Sequence, residues 1–336
     1  MTTLEPIPVA PGTSRPTVSV VIPTFRRDDL LERCLRGVLT QDWPAESLQV
    51  CVVDDADSKT TPDVIGRIAL EHPHHQVLLF GGGRRGPAAA RNTGWQAATG
   101  DIIAFIDDDA FPANENWIRE GVSTLLGSQA PAVSGRVVVP IPEAPTDFQR
   151  NVRSLQDATF LTCNAFVRRA ALEAVGGFDE RFEVPFREDT DLQYRLEELG
   201  DLVLRADDAV VIHPAPRGKF AESLRRQRYS MFNALLYRKH RARFREEIQA
   251  GPPFSYYAMT ILAGAAALGL IRRARAGWVA LALWAVLDAA FFVRRVRGTE
   301  HSTKHLADMA LTSVLIPPLS VYWRLRGAAK FRVWFA

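Results

Sequence analysis

The sequence predicts an α/β protein with a mostly parallel sheet flanked by helices, followed by helices that associate with a membrane. From Thr17 onward, short β-rich runs alternate with runs that repeat apolar residues at helix spacing, which is typical of parallel sheets with helices on both faces. Long apolar runs come after residue 250. The charge divides as well: residues 1–216 hold 20 basic and 32 acidic residues (net −12), and residues 217–336 hold 21 and 6 (net +15). This asymmetry indicates two parts with different partners.

The first part contains four strands separated by three helices. The predicted strands are Val18–Phe25, Leu48–Val53, Gln76–Phe80 and Ile102–Ile106. The predicted helices are Asp28–Gln41, Pro62–Glu71 and Pro87–Ala98. Asp28 or Asp29 can cap the first helix, and Pro87 suits a first helical turn. Further along, Leu161–Arg169 is typical of a strand that leads into a short helix.

The second part begins with Phe220–Gln249, which we expect to form one long basic helix. Three apolar runs come next: Phe254–Ile271, Gly277–Val293 and Leu306–Trp323, the last broken by Pro317-Pro318. Runs of 17–18 residues are at the lower limit for crossing roughly 30 Å of hydrocarbon. Arginines 272, 273 and 275 would lie on the far side if the first two runs both crossed, against the positive-inside tendency. We expect a membrane hairpin plus an interfacial tail; the alternative is a set of core helices in a soluble domain.

Composition and the N-terminus limit the class of protein. A 336-residue chain that is 47% hydrophobic can bury a sizeable core, which excludes a disordered protein. Three cysteines without a metal-ligand spacing suggest neither a disulfide framework nor a zinc site, and favour a reducing compartment. Residues 1–16 contain no apolar run and do not resemble a signal peptide, so we expect them to be a flexible segment and the sheet to stay in the cytoplasm.

Acidic residues follow two of the predicted strands. Asp54-Asp55 ends the second strand, and Asp107-Asp108-Asp109 ends the fourth. The ligand crevice of an open parallel sheet lies at the carboxyl ends of its strands. Adjacent carboxylates repel one another there, and a divalent cation, Mg²⁺ or Mn²⁺, would remove that conflict. The alternative is a solvated acidic turn.

The segment Gly81–Gly86 matches G-x-G-x-x-G, with Asp101 at a suitable distance for a dinucleotide site. It follows the third strand rather than the first, and Asp101 precedes its strand, so this interpretation is weak. Two alternatives to a dinucleotide site are a flexible glycine-rich turn and a loop that binds a diphosphate through Arg84, Arg85 and the nearby Arg91.

Two acids, Glu188 and Asp189, begin another predicted helix. Acidic residues are common at helix N-termini, where they complement the helix dipole, so these two alone do not indicate a site. A functional role for these two acids is supported by the order of several motifs along residues 17–240. The motif segments are Val18–Phe25, Val52–Asp55, Ala90–Gly94, Phe105–Ala110, Gly176–Asp179 and Arg187–Leu192.

With these segments the chain resembles the family 2 glycosyltransferases, inverting sugar transferases with a GT-A type fold. The resemblance implies a GT-A catalytic domain over residues 17–216. From the charge and apolar patterns we expect a basic connecting helix over 217–250 and a membrane-associated helical region over 251–336. It implies a nucleotide-sugar site made of Pro23, Thr24, Asp54, Asp55, Arg91, Asp107 and Asp108. The segment Asp54–Asp57 departs from the family's commoner Asp-Asp-Gly-Ser, which leaves the nucleotide contacts open.

The resemblance also implies the chemistry. Asp189 resembles the general base that takes a proton from the acceptor hydroxyl, and Asp107, Asp109 and His213 resemble a divalent-metal site; a histidine in a strand-end turn is the alternative for His213. Residues expected near the acceptor or the diphosphate are Glu188, Arg225 and Arg228.

The expected activity is inverting, metal-dependent sugar transfer from a nucleotide-diphosphate sugar to a lipid-linked or membrane glycan acceptor. Single transfer is favoured because Leu224–Tyr229 lacks the Gln-x-x-Arg-Trp motif of processive relatives. We expect a cell-membrane protein that acts at the cytoplasmic face and has no nucleic-acid partner. A sugar nucleotidyltransferase and a catalytically silent membrane-bound nucleotide-sugar-binding protein are the alternatives.

Overall fold

The computed structural model describes residues 16–335, and the predicted flexible segment 1–16 lies outside them except for its last residue. The strands are β1 Val18–Thr24, β2 Leu48–Asp54, β3 Gln76–Gly81, β4 Ile102–Phe105, β5 Phe111–Pro112, β6 Ala132–Val138, β7 Ala165–Arg168 and β8 Leu204–Ile212. The helices are α1 Asp28–Leu39, α2 Thr61–Glu71, α3 Pro87–Ala97, α4 Trp117–Leu126, α5 Asp147–Arg153, α6 Arg169–Val175, α7 Glu188–Glu197, α8 Glu222–Arg226, α9 Phe232–Lys239, α10 Arg241–Arg243, α11 Phe254–Ile271, α12 Arg275–Val296 and α13 Thr303–Lys330.

Within residues 16–335 the strands form one sheet in the order β3-β2-β1-β4-β7-β6-β8-β5. The pairs β3-β2, β2-β1 and β1-β4 are parallel, and so is β6-β8, whereas β7 and β5 run against their neighbours. Six of these eight strands therefore share a direction, which confirms the predicted mostly parallel sheet. The register sets Thr24 opposite Asp54, and Asp54 opposite Gly81, so three loops open at the same edge.

Alternation along the buried strands separates two core layers. Val20 and Ile22 of β1 face the layer that holds Leu35 of α1. Val21, between them in sequence, faces the opposite layer with Trp95 of α3. Side chains alternate across a strand, so a strand covered on both faces is a continuous apolar run. Burial of each large side chain contributes roughly 1.5–3 kcal/mol.

The long basic helix predicted at Phe220–Gln249 is wrong. The segment forms the short helices α8, α9 and α10, joined by a 3₁₀ turn and followed by a π turn. Its basic residues are partly turned inward: Lys239 and His240 both contact the buried carboxylate of Asp191. The helix α9 ends at these contacts, since the backbone of His240 is not helical.

The predicted break at Pro317-Pro318 is also wrong, since α13 continues through both prolines. Proline removes a backbone donor and would normally kink a helix. In this protein α13 packs along α11, α12 and the 3₁₀ turn that follows α8, and neighbouring elements of this kind can hold an interrupted helix together.

The C-terminal helices α11, α12 and α13 are the elements of the described chain that are long and apolar enough to cross a membrane. In the most apolar 18-residue stretch of each helix, 11% of the residues are buried in α11 and in α12, against 33% in α13. Gly269 and Gly277 close the α11–α12 hairpin: a Cβ on Gly269 would lie 2.5 Å from the Gly277 Cα. The predicted apolar helices suited to membrane association are therefore present.

Candidate active site

The acidic triplet lies directly beyond β4, at the edge where the parallel strands end. Asp108 is fully buried; its Oδ2 accepts a hydrogen bond from the Thr24 hydroxyl at 2.7 Å, and its Oδ1 lies 2.7 Å from Arg27 Nη2. Burial raises the pKa of Asp108 to about 7, although the charge of Arg27 opposes this. Arg27 also pairs with Asp109, so a single guanidinium contacts two of the three acids.

Asp107, Asp109 and His213 form a group whose candidate ligand atoms all lie within 4.8 Å of one another. His213 follows β8, and its Nε2 lies 3.3 Å from Asp109 Oδ1. Burial acts to raise the pKa of Asp109, but His213 and Arg27 together hold it well below its usual range. His213 Nδ1 is buried and has no hydrogen-bond partner within residues 16–335. Two carboxylates and an imidazole are ligands that suit Mn²⁺ and, less commonly, Mg²⁺.

Arg91 joins the triplet to the start of α7. The side chain lies on α3, is 3% exposed, and donates to Asp107 Oδ1 at 2.7 Å and to Glu188 Oε1 at 3.0 Å. One cation thus faces Asp107, Glu188 and the neighbouring Asp189. Burial, together with the charge of Asp189, raises the pKa of Glu188, against the opposing effect of Arg91. This cluster holds a proton more readily than isolated carboxylates do.

Asp189 is the second residue of α7 and is partly exposed. Its Oδ1 accepts from the amide of Thr190 at 2.7 Å, and burial raises its pKa. The residue just before α7, Arg187, has a left-handed φ of 77° and donates from Nε to Asn233 of α9 at 2.9 Å. The start of α7 is therefore fixed by a side chain that lies 46 residues further along the chain.

One turn along α7, the fully buried Asp191 anchors the same helix. Its carboxylate lies 2.6 Å from Lys239 Nζ and 3.0 Å from His240 Nε2, and it pairs with Arg195 at 2.9 Å. Burial acts to raise the pKa of Asp191, but these three partners hold it below its usual range. Asp191 therefore binds α9 to α7 beneath the candidate base.

The carboxylates of Asp54 and Asp55 accept hydrogen bonds from backbone amides of nearby loops. Asp54 accepts from the amides of Ala56 at 2.9 Å and Ser58 at 2.6 Å, which closes the turn after β2. Asp55 accepts from the amides of Arg85 and Gly86, both at 2.9 Å, and so fastens the glycine-rich loop to the crevice. These bonds organise the loop edge around Pro23 and Thr24 at the end of β1.

The dinucleotide interpretation of the glycine-rich loop is wrong, because Asp101 lies at the other end of the sheet. Its Oδ2 accepts from the hydroxyl of Thr17 at 2.8 Å, before β1 begins.

Arg225 and Arg228 are not brought to the acidic cluster by any contact within the described residues. Arg225 pairs with Glu222 at 3.1 Å, and the guanidinium of Arg228 lies 5.4 Å from the ring centroid of Tyr229.

Sequence reasoning missed three residues that act on the site, namely Arg27, Lys239 and His240. A detectable signal existed for Arg27, which lies just after the first strand and so belongs to the same loop edge as the acids. Lys239 and His240 lie about 50 residues beyond Asp191, and nothing local pairs them with it.

Comparison with known proteins agrees with this arrangement. The profile of Glycosyl transferase family 2 matches residues 19–176. Glycosyltransferase AglE from Haloferax volcanii is 29% identical over 221 residues, which are 63% of this chain and 71% of that protein. The chain carries a glycosyl transferase family 2 domain over residues 19–176. It is therefore a transferase enzyme with a GT-A type fold, which favours sugar transfer over the nucleotidyltransferase and silent-protein alternatives.

Two further relatives carry more specific descriptions. A mannosyltransferase from Pyrobaculum calidifontis, solved in complex with GDP-Man and Mn²⁺, shares 26% identity with a TM-score of 0.55, over 95% of this chain and 88% of that one. The GalNAc(5)-diNAcBac-PP-undecaprenol beta-1,3-glucosyltransferase of Campylobacter jejuni is 32% identical over 111 residues, which are 33% of this chain and 34% of that enzyme.

Proposed function

We propose that this glycosyltransferase is inverting and metal-dependent, and that it moves one sugar from a nucleotide-diphosphate sugar to a hydroxyl of a lipid-linked or membrane glycan acceptor. The observation that carries the proposal is the bridge made by Arg91. It joins Asp107, a candidate metal ligand, to Glu188 beside the candidate base Asp189. This bridge supports the proposal because it joins the candidate metal ligands to the candidate base.

The metal would be held by Asp107, Asp109 and His213, whose ligand atoms are grouped closely enough to share one ion. Bound Mg²⁺ or Mn²⁺ supplies positive charge that stabilises a departing diphosphate. The relative solved with GDP-Man and Mn²⁺ supports this choice of ion.

Asp189 is the proposed general base. It takes the proton of the acceptor hydroxyl as that oxygen bonds to the anomeric carbon and the bond from that carbon to the diphosphate oxygen breaks. Displacement from the face opposite the diphosphate inverts the anomeric centre. The raised pKa of Asp189 suits this role, because a base is most effective when its pKa is near the working pH.

The nucleotide sugar would lie along the edge formed by Pro23, Thr24, Asp54, Asp55, Arg91, Asp107 and Asp108. Thr24 and Asp108 are joined by a buried hydrogen bond, and Asp55 fixes the glycine-rich loop, so this edge is ordered before a donor arrives. We assign Glu188, Arg225 and Arg228 to the acceptor or diphosphate side.

The acceptor is proposed to be membrane-bound because three apolar helices lie beyond the sheet in the chain. The Campylobacter relative, whose name describes an undecaprenol-diphosphate-linked acceptor, supports a lipid-linked substrate. The sheet domain, residues 17–216, would then work at the cytoplasmic face, with the segment 217–250 as the connection to the membrane-associated residues 251–336.

The test is thermal stabilisation of the detergent-purified chain by UDP-, GDP-, dTDP- and CMP-sugars, each with Mn²⁺ or with chelator. A ligand at 100 times its dissociation constant stabilises the folded form by about 2.7 kcal/mol. We expect one donor to stabilise only with metal, and Asp109→Asn to abolish that effect. Asp101→Asn, at the opposite end of β4, is the matched control. A donor that stabilises the chain equally well with Mn²⁺ and with chelator would refute the metal dependence.

A further inference from the structure

Helix α13 has the length and composition of a membrane-crossing helix, yet both of its ends contact the body that holds the sheet. Before its first turn, the Glu300 amide donates to the Pro145 carbonyl at 2.9 Å. At its last turn, Lys330 Nζ lies 2.8 Å from Glu183. Gly327 lies so close to the segment after α8 that a Cβ would be 2.4 Å from the Met231 carbonyl oxygen. A helix of 28 residues, roughly 42 Å long, therefore runs along the body instead of away from it.

The residues after α13 return to the same body. The rings of Phe331 and Phe232 have centroids 5.9 Å apart. Phe335 lies 5.0 Å from Tyr237 and 5.4 Å from Phe244, measured between ring centroids. A helix that crossed the bilayer once would separate its ends by about 30 Å of hydrocarbon. In a chain that crosses a bilayer, these contacts require the C-terminal residues and the sheet to lie on one side of it, which requires an even number of crossings.

The α11–α12 hairpin is the part of the chain that fits a crossing. Its helices have 18 and 22 residues, roughly 27 and 33 Å, which match the hydrocarbon thickness. They are apolar on all sides: Ile261 is 68% exposed and Trp278 is 66% exposed, and the charged exception within the two apolar stretches is Asp288. A helix that lies flat in the interface needs a polar face, which this hairpin does not have.

Arginines lie at both ends of the hairpin, where lipid phosphates would meet them. The end beside the sheet carries the exposed Arg294 and Arg297, and the far end carries the exposed Arg272, Arg273 and Arg275. The near end is fixed to the sheet body by Arg295, which pairs with Asp147 of α5 at 2.9 Å. This charge pattern favours a bilayer over a second protein copy as the cover of the apolar surface.

We propose that the chain crosses the bilayer twice, through α11 and α12 alone, and that α13 lies in the membrane plane between the bilayer and the sheet. Its exposed apolar side chains then face the lipid: Leu311, Val314, Leu315, Tyr322 and Leu325. The arginine tip of the hairpin then reaches the headgroups of the opposite leaflet, an exception to the positive-inside tendency that labelling of the tip tests directly. This topology is independent of the transfer reaction, so either can fail without the other.

The test is labelling of single cysteines by a membrane-impermeant maleimide in sealed vesicles of both orientations, with the full-length chain. The native cysteines Cys34, Cys51 and Cys163 are buried and give little background. The reporters are Gln129→Cys for the sheet body, Trp334→Cys for the C-terminal end, and Arg272→Cys for the hairpin tip, with Ala274→Cys as a second tip variant.

We expect Gln129→Cys and Trp334→Cys to react in the same vesicle orientation and both tip variants to react in the opposite one. Three results would overturn the proposal: tip labelling from the side of Gln129→Cys, tip labelling that requires detergent, or labelling of Trp334→Cys from the opposite side. An unchanged thermal midpoint identifies the variants that are folded, and the two tip variants serve as replicates of one another.

Discussion

The bridge made by Arg91 predicts a stability loss whose size depends on pH. Arg91→Met keeps the length of the side chain but removes the cation that faces Asp107, Glu188 and Asp189. Removal of one partner from a buried ion pair typically costs about 3–5 kcal/mol, because the remaining charge stays buried and uncompensated. Uptake of a proton by Glu188 relieves that cost. Because the folded variant then binds more protons than the unfolded chain, its stability falls as pH rises through the raised pKa of Glu188.

The assay is thermal unfolding of the full chain in detergent between pH 5.5 and 8.5. At 2–4 °C per kcal/mol, the loss corresponds to a fall of roughly 6–20 °C at the alkaline end, and to less at the acidic end. Adding Glu188→Gln to Arg91→Met should recover much of the loss. Arg36→Met is the control, since Arg36 makes comparable ion pairs at the surface and its loss should have little effect. A loss that is independent of pH and unaffected by Glu188→Gln would refute the reasoning.

Three further predictions concern α7. Asp189→Asn should lower turnover by roughly 10²–10⁴-fold while donor binding, measured by thermal shift, stays unchanged; loss of both together would contradict a role as base. In wild type, turnover should fall as pH drops through the raised pKa of Asp189, so the acid limb of the pH–rate profile should lie above the ordinary aspartate pKa of about 4. A rate that stays constant down to about pH 4 would contradict this prediction. Asp191→Asn should destabilise the chain by about 3–5 kcal/mol in the same unfolding assay, because Lys239 and His240 lose their buried partner, whereas a midpoint equal to wild type would show that these contacts contribute little.

The strands and helices of the sheet could be predicted from the sequence because each is determined by local information. β1 is a continuous apolar run, and α1 repeats buried residues at helical spacing, so neither depends on distant contacts for recognition. The position of Asp107–Asp109 beyond a parallel strand could also be predicted from topology, since such strands end at one edge.

The errors arose where tertiary contacts outweigh local pattern. The segment Phe220–Gln249 has the composition of a solvated basic helix, yet its aromatic side chains Phe232, Tyr237 and Phe244 are buried on several sides and break the helix into pieces. A proline in a helix interior normally kinks or ends the helix, but neighbouring elements hold α13 together through Pro317. Hydrophobic periodicity in the sequence does not reveal either effect, because the stabilising partners lie far along the chain.

The geometry of α7 depends on the C-terminal helices as well as on the sheet. Asn233 binds Arg187 before the candidate base, and Lys239 binds Asp191 after it, so both sides of Asp189 are held by α9. α9 in turn is covered by the last turn of α13 and the aromatic residues beyond it. A chain that ended at residue 216 would retain every strand and the candidate metal ligands, but Asp191 would keep a buried charge without Lys239 and His240. The position of the candidate base therefore depends on α9, the same helix that packs against α13.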